Sequence, residues 1–201
     1  MAANDTAPVT PVGSDAFGEP AASAELLRRA AIVGAQRRRQ STSSTQSRGE
    51  VTASAQKLYR QKGVGRARAG SASAGQRRGG AVTFGPRPRT VRRRLARRER
   101  REALRSLLAQ MAQADCVHRV EEWGDSAKTK ERAAWLADAG LAGRLLLLDA
   151  EPPESLRRSS RNIPGVTVQR ADAVGFMEVA AADHVVATDA ALDLLRGVSR
   201  D

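Results

Sequence analysis

Apolar residues in this 201-residue chain fall into two regions separated by a long gap. The first stripe is Leu26, Leu27, Ala30, Ala31, Val33 and Ala35, which predicts a helix over Ala22 to Arg39, with Ser23 as its cap. From Gln40 to Arg94 the periodicity vanishes into Ser, Thr, Gly, Arg and Ala. The pattern returns with Ala103, Leu104, Leu107, Leu108 and Met111, the face of a helix over Arg97 to Ala114. Strand and helix signals then alternate. Strands are predicted at Cys116 to Val120, Arg144 to Asp149, Val166 to Gln169 and His184 to Ala187. Helices are predicted at Ala127 to Ala139, Pro153 to Arg161, Phe176 to Ala181 and Asp189 to Leu195. Such alternation with Val- and Leu-rich strands points to an α/β fold. Its mainly parallel sheet is covered by helices on both faces.

The expected organisation is a flexible start over 1–16, with no visible strand, and a globular body from 17–39 and 95–201. An extended loop spans 40–94. The first helix is too short to fold alone, so the two flanks of the loop belong to one body. The loop has too little to bury and too much like charge to fold on itself, and is expected to be ordered only by a partner.

Charge sharpens this picture. The stated net charge is +12. Between Lys57 and Arg105 there are 17 Lys and Arg against Glu99 and Glu102 alone, so this segment holds the whole excess. An excess so concentrated marks a polyanion-binding element. The candidate contacts are Lys57, Tyr59, Arg60, Lys62, Arg66, Arg68, Arg77, Arg78, Arg87, Arg89, Arg92, Arg93 and Arg94. Arginine forks can grip phosphates bidentately. Glycine lets backbone pass close to another chain. Tyr59 and Phe84, the segment's two aromatics, can stack on bases or simply fill a loop.

Other chemistry is poorly supported. Gly63-Val64-Gly65 lacks the preceding apolar strand and following helix of a phosphate loop. His118, His184 and Cys116 have no metal-ligand spacing, and no cofactor is expected. Asp149 and Asp189 sit at strand ends but lack partners for catalysis, and are read as helix caps. Trp123 and Trp135 are read as packing or surface-anchor residues. No apolar run approaches the roughly 20 residues of a spanning helix. The first 20 residues resemble neither a signal nor a transit peptide, so a cytosolic location without membrane or small-molecule partners is expected.

Three blocks carry a resemblance: Gln56 to Ser71, Arg77 to Arg89, and Arg161 to Val166. In order and spacing they resemble the bacterial ribosomal large-subunit protein L-four family, as does Lys128 to Glu131. The resemblance implies a non-enzymatic α/β body with a loop that penetrates large-subunit rRNA and supports early subunit assembly. It places Gln61, Lys62, Gly63, Val64, Gly65 and Arg66 at a loop tip lining the peptide exit tunnel. It also implies neighbouring large-subunit proteins as partners and a cytoplasmic, ribosome-bound location. The alternative is a free-standing basic nucleic-acid-binding or RNA-chaperone protein, using the same arginines without a fixed site.

Overall fold

The computed structural model describes residues 9–90, 93–124 and 128–198. Residues 9–36 and 93–198 form one compact unit, described first; residues 37–90 belong to another. The first unit is an α/β body around a sheet of five strands. In chain order its elements are β1 (Thr10–Pro11), α1 (Ala24–Arg38, whose last two residues fall in the other unit), α2 (Arg97–Gln113) and β2 (Val117–Val120). There follow α3 (Thr129–Asp138), β3 (Leu145–Asp149), α4 (Glu154–Ser160), β4 (Val166–Arg170), α5 (Phe176–Ala181), β5 (His184–Thr188) and α6 (Asp189–Val198). A 3-10 turn, Ser14–Phe17, links β1 to the helices. Ala127, the expected start of α3, lies outside the described residues.

The sheet order is β1-β2-β5-β3-β4. β2, β5, β3 and β4 are parallel, and β1 runs antiparallel to β2. The interior strand β3 is LLLLD, and its side chains alternate between the two faces. Leu146 and Leu148 enter a cluster with Val117, Val185 and Ala187, closed by Leu104 and Leu108 of α2, Val179 of α5 and Leu192 of α6. Leu145 and Leu147 enter the opposite cluster with Val120 and Val186, closed by Leu136 of α3 and Leu156 of α4. Helices therefore cover both faces, and the continuous Leu run follows from burial on both sides.

β1 is the element that the sequence did not reveal. It has two residues, one of them Pro11, and shows no alternation. It holds the edge through Thr10 opposite Arg119 and Pro11 opposite His118, with Val12 N–H donating to the Val117 carbonyl at 2.9 Å. An edge position suits proline, whose missing N–H would break a central ladder.

Local signals explain the helix ends. Ser23 Oγ accepts from Leu26 N–H at 3.2 Å, the expected cap of α1. Glu99 accepts from Ala96 N–H at 3.1 Å, one half of a capping box on α2. Gly34 lets α1 meet α5: a Cβ there would lie 2.2 Å from Met177 Cγ. The two aspartates expected to cap helices do otherwise. Asp149 accepts from Trp123 Nε1 at 2.5 Å and from Glu151 N–H at 3.0 Å. Asp189 pairs with Arg119 at 2.6 Å, and Thr188 Oγ1 takes the Ala191 N–H instead. The reason is geometric: both acids lie within reach of a stronger donor from a neighbouring element.

Two polar groups strain against their surroundings. Arg132, on the inward face of α3, is only 1% exposed. Its Nη2 donates to the Gly124 carbonyl at 3.4 Å and its guanidinium lies 5.5 Å from the Trp135 ring centre, but Nε has no partner. Burial holds this guanidinium below its ordinary pKa. No carboxylate pairs with it among the described residues. A buried charge so poorly satisfied costs more than an apolar side chain of similar length. Arg132→Met is expected to raise stability by about 1 kcal/mol, after the lost cation–π contact is allowed for. A lower urea midpoint in the variant would contradict this account.

His118 and His184 face each other across β2 and β5, with Nε2 to Nδ1 at 3.2 Å. Desolvation, and then the neighbouring His184, lower the His118 pKa from its ordinary 6.5, against a smaller opposing pull from Asp115. The unfolded chain therefore binds a proton here that the folded chain resists. Stability from this group is full above about pH 6.5 and declines as the pH falls toward the lower folded value. His118→Gln is expected to flatten the loss of stability between pH 7 and pH 5.5. Identical acid limbs for variant and parent, measured by urea unfolding, would count against it.

Candidate nucleic-acid interface

Residues 37–92 form the second compact unit, of which 37–90 are described. This stretch of sequence holds 14 Lys and Arg and a single acid, Glu50. Past the end of α1 the described part contains neither helix nor strand. It is nonetheless folded back on itself. Thr45 N–H donates to the Pro86 carbonyl and Val82 N–H to the Gln46 carbonyl, each at 3.1 Å. Further along, Ala81 N–H reaches the Ser73 carbonyl at 3.1 Å and Leu58 N–H the Gly70 carbonyl at 3.2 Å. The outgoing and returning paths thus run side by side without forming a ladder.

Composition alone predicted that this segment would make no internal structure. The difference lies in its small residues. Ser71, Ser73 and Ala81 are buried, and the two serine hydroxyls meet at 3.1 Å. Arg48 Nη2 donates to Ser71 Oγ at 3.3 Å. At Gly80 a Cβ would stand 2.0 Å from the Ala74 carbonyl oxygen, so only glycine permits the approach. Backbone bonds between chains that lack bulk need no apolar core, and a hydrophobicity pattern does not register them.

Beyond Leu58 the chain turns. Gly63 and Gly65 take φ of +81° and +67°, left-handed values that favour glycine. Arg60 Nη2 reaches back to the Gly63 carbonyl at 3.3 Å. Tyr59 donates its hydroxyl to the Ala67 carbonyl, closing the base of the turn. Gln61 to Arg68 are all exposed, including Gln61, Lys62, Gly63, Val64, Gly65 and Arg66.

The expected contact residues lie mainly on the surface. Lys57, Arg60, Lys62, Arg66, Arg68, Arg78, Arg87 and Arg89 are exposed, and Tyr59 and Arg77 are half-buried. Arg93 and Arg94, also exposed, belong to the body. Arg92 lies outside the described residues. The single acid does little to neutralise this charge. Glu50 accepts from Ser47 N–H at 2.7 Å and Ser47 Oγ at 2.8 Å, with Arg87 at 3.7 Å. These bonds, chiefly the Ser47 amide, hold its carboxyl below the usual carboxylate range.

Phe84, which the sequence left open between base stacking and loop filling, is the most exposed large apolar side chain described, at 103%. Its φ is +53°, unusual for a bulky residue. The arrangement as a whole offers phosphate-gripping forks along a fixed path, with an outward aromatic beside them. Among the described residues no three His, Cys, Asp or Glu side chains group as metal ligands. No helix there is long and apolar enough to cross a membrane.

Relatives match most of the chain in sequence. It is 41% identical over 180 residues to the large ribosomal subunit protein uL4 of Synechocystis sp., covering 87% of this chain and 85% of that one. The uL4 proteins of Rippkaea orientalis and Microcystis aeruginosa are 36% and 39% identical. These alignments cover 89% and 87% of this chain and 86% and 84% of theirs. The model of the ribosomal protein L4/L1 family matches residues 10–198, spanning both the sheet and the basic segment. The chain therefore belongs to the ribosomal protein L4/L1 family, whose members are structural rather than enzymatic.

Proposed function

We propose that this chain is a structural constituent of the large ribosomal subunit that binds large-subunit rRNA through residues 40–94. In this reading the segment threads along the rRNA and supports early subunit assembly. Gln61 to Arg66 line the peptide exit tunnel at its tip. Neighbouring large-subunit proteins surround the body, and the protein resides on cytoplasmic ribosomes. The observation that carries this reading is the row of exposed arginines and lysines between Lys57 and Arg89, with only Glu50 in the whole unit to offset them. Family membership supports it, because the cited relatives are named large ribosomal subunit proteins.

A free-standing RNA chaperone would use the same charges without a fixed site. The returning path, the glycine-only approach at Gly80 and the left-handed turn at Gly63 and Gly65 favour a defined seat instead. Mass attraction needs none of these.

Two outcomes test the reading. Binding of the protein to a large-subunit rRNA transcript is expected to weaken with salt, with a log–log slope of roughly −4 if about six phosphates of single-stranded character are neutralised. A slope near zero would rule out phosphate-driven binding. Phe84→Ala is expected to lower affinity for the same transcript about 5- to 150-fold, the range of one lost base stack, while Phe84→Trp retains it. Because the ring is fully exposed, the thermal unfolding of the protein is expected to stay unchanged. Equal affinities for all three proteins would exclude Phe84 as a stacking platform.

A further inference from the structure

The body carries a basic groove of its own, formed where α1 passes the segment leading into α2. Its volume is about 490 Å3. Glu25, Arg28 and Arg29 of α1 line one wall, and Arg93 and Arg94 the other. Ile32, Val33 and Leu95 form the floor. Some 65 residues of sequence separate the two arginine pairs, so only the fold brings them together.

The walls are not equivalent. On α1, Arg28 is paired with Glu25 and Arg29 with Glu99, each at 3.4 Å. These carboxylates orient the guanidiniums while leaving other donors free, since each fork carries five N–H groups. Across the groove, Arg93 and Arg94 are exposed and pair with no carboxylate among the described residues. The floor is fixed from beneath. Val33 and Leu95 are 8% and 7% exposed and pack with Ala30 and Ala103 into a small core. The α1 wall carries two arginines against the single acid Glu25, and the opposite wall two arginines with no acid in the lining, so the groove is cationic on balance. An apolar floor between such walls does not match a lone anion, which would want polar donors below it as well. Its volume falls in the usual range of small-ligand clefts, large enough for a nucleotide.

We propose that this groove seats one unpaired nucleotide of an RNA strand. Its sugar or base lies on Ile32, Val33 and Leu95, and the phosphates on either side meet Arg28 and Arg29 on one wall and Arg93 and Arg94 on the other. The inference rests on the RNA-binding reading above and adds a separate anchorage on the body. Residues 28, 29 and 32 fall outside the basic segment.

The test uses the full chain and a large-subunit rRNA transcript. Salt-dependent affinity and a hydroxyl-radical footprint are measured for the parent, Arg28→Gln/Arg29→Gln and Arg93→Gln/Arg94→Gln. All four arginines are exposed, so thermal unfolding is expected to match the parent. Each double variant is expected to shorten the salt slope by about 1.4, two phosphates at roughly 0.7 each. Both are expected to lose the same short protected stretch while the remaining footprint persists. Unchanged slopes and footprints would overturn the inference, as would loss at two unrelated stretches. So would a uniform weakening with no discrete loss, the mark of bulk attraction. A parent protein without salt-dependent binding would instead sink the RNA-binding reading itself.

Discussion

Repulsion among like charges governs the layout of this protein. Fourteen cations and one acid occupy residues 37–92, and no rearrangement within that stretch can neutralise them. Exposed in water, such charges are screened over roughly 8–10 Å at ordinary ionic strength, so they can be held apart cheaply but cannot be buried. A compact body containing them would face an unpaired charge at every turn. The chain instead places them on a segment built of small residues. The apolar residues form a body in a separate unit, and the long run after Arg105 carries a slight acidic excess. The division between unit 37–92 and the rest is thus an electrostatic boundary as much as a topological one.

The body tolerates one exception, and its cost is informative. β3 is apolar on both faces, and the helices that cover it supply Leu, Val and Ala almost without interruption. Arg132 breaks that rule from within α3. It survives because the Trp135 ring lies beside its guanidinium and the Gly124 carbonyl takes one donor. The contrast with the basic segment is direct. There, exposure makes arginines inexpensive; here, burial makes a single one a burden that aromatic contact only partly offsets.

Most of the body was legible in the sequence because burial writes a period. The Leu and Ala spacing of α2 has the helical period, and LLLLD, though a continuous run, is short enough and bounded closely enough to read as a strand covered on both sides. Helix and strand limits fell within a few residues of those expected. What stayed illegible lacks a period. β1 is two residues long and half proline, so its place depends on the Val117 carbonyl rather than on its own pattern. The path of the basic segment rests on Ser71, Ser73, Gly80 and Ala81, residues too small to register in a hydrophobicity pattern. The cations themselves were plain from composition. The groove lined by Arg28, Arg29, Arg93 and Arg94 was not, because its two walls meet only after α1 and α2 have packed.

The choice of cation separates a fixed seat from general attraction. Of the 34 basic residues, 30 are arginine and only Lys57, Lys62, Lys128 and Lys130 are lysine. For mass attraction to a polyanion the two are nearly equivalent, since each adds one charge. They differ in geometry: the guanidinium is a planar fork that presents donors in pairs, whereas the ammonium is a point charge on a flexible stem. A surface selected only for net charge has no need of forks. Forks are useful where each phosphate has a set position and the backbone holds each side chain in register with it. The backbone here does so, through bonds such as Leu58 to Gly70 and Val82 to Gln46. The exposed lysine at the turn, Lys62, sits where such bracing gives way to the Gly63-Val64-Gly65 step. The step is flanked by one cation of each kind, Lys62 before it and Arg66 after it, so the turn offers a point charge and a fork side by side.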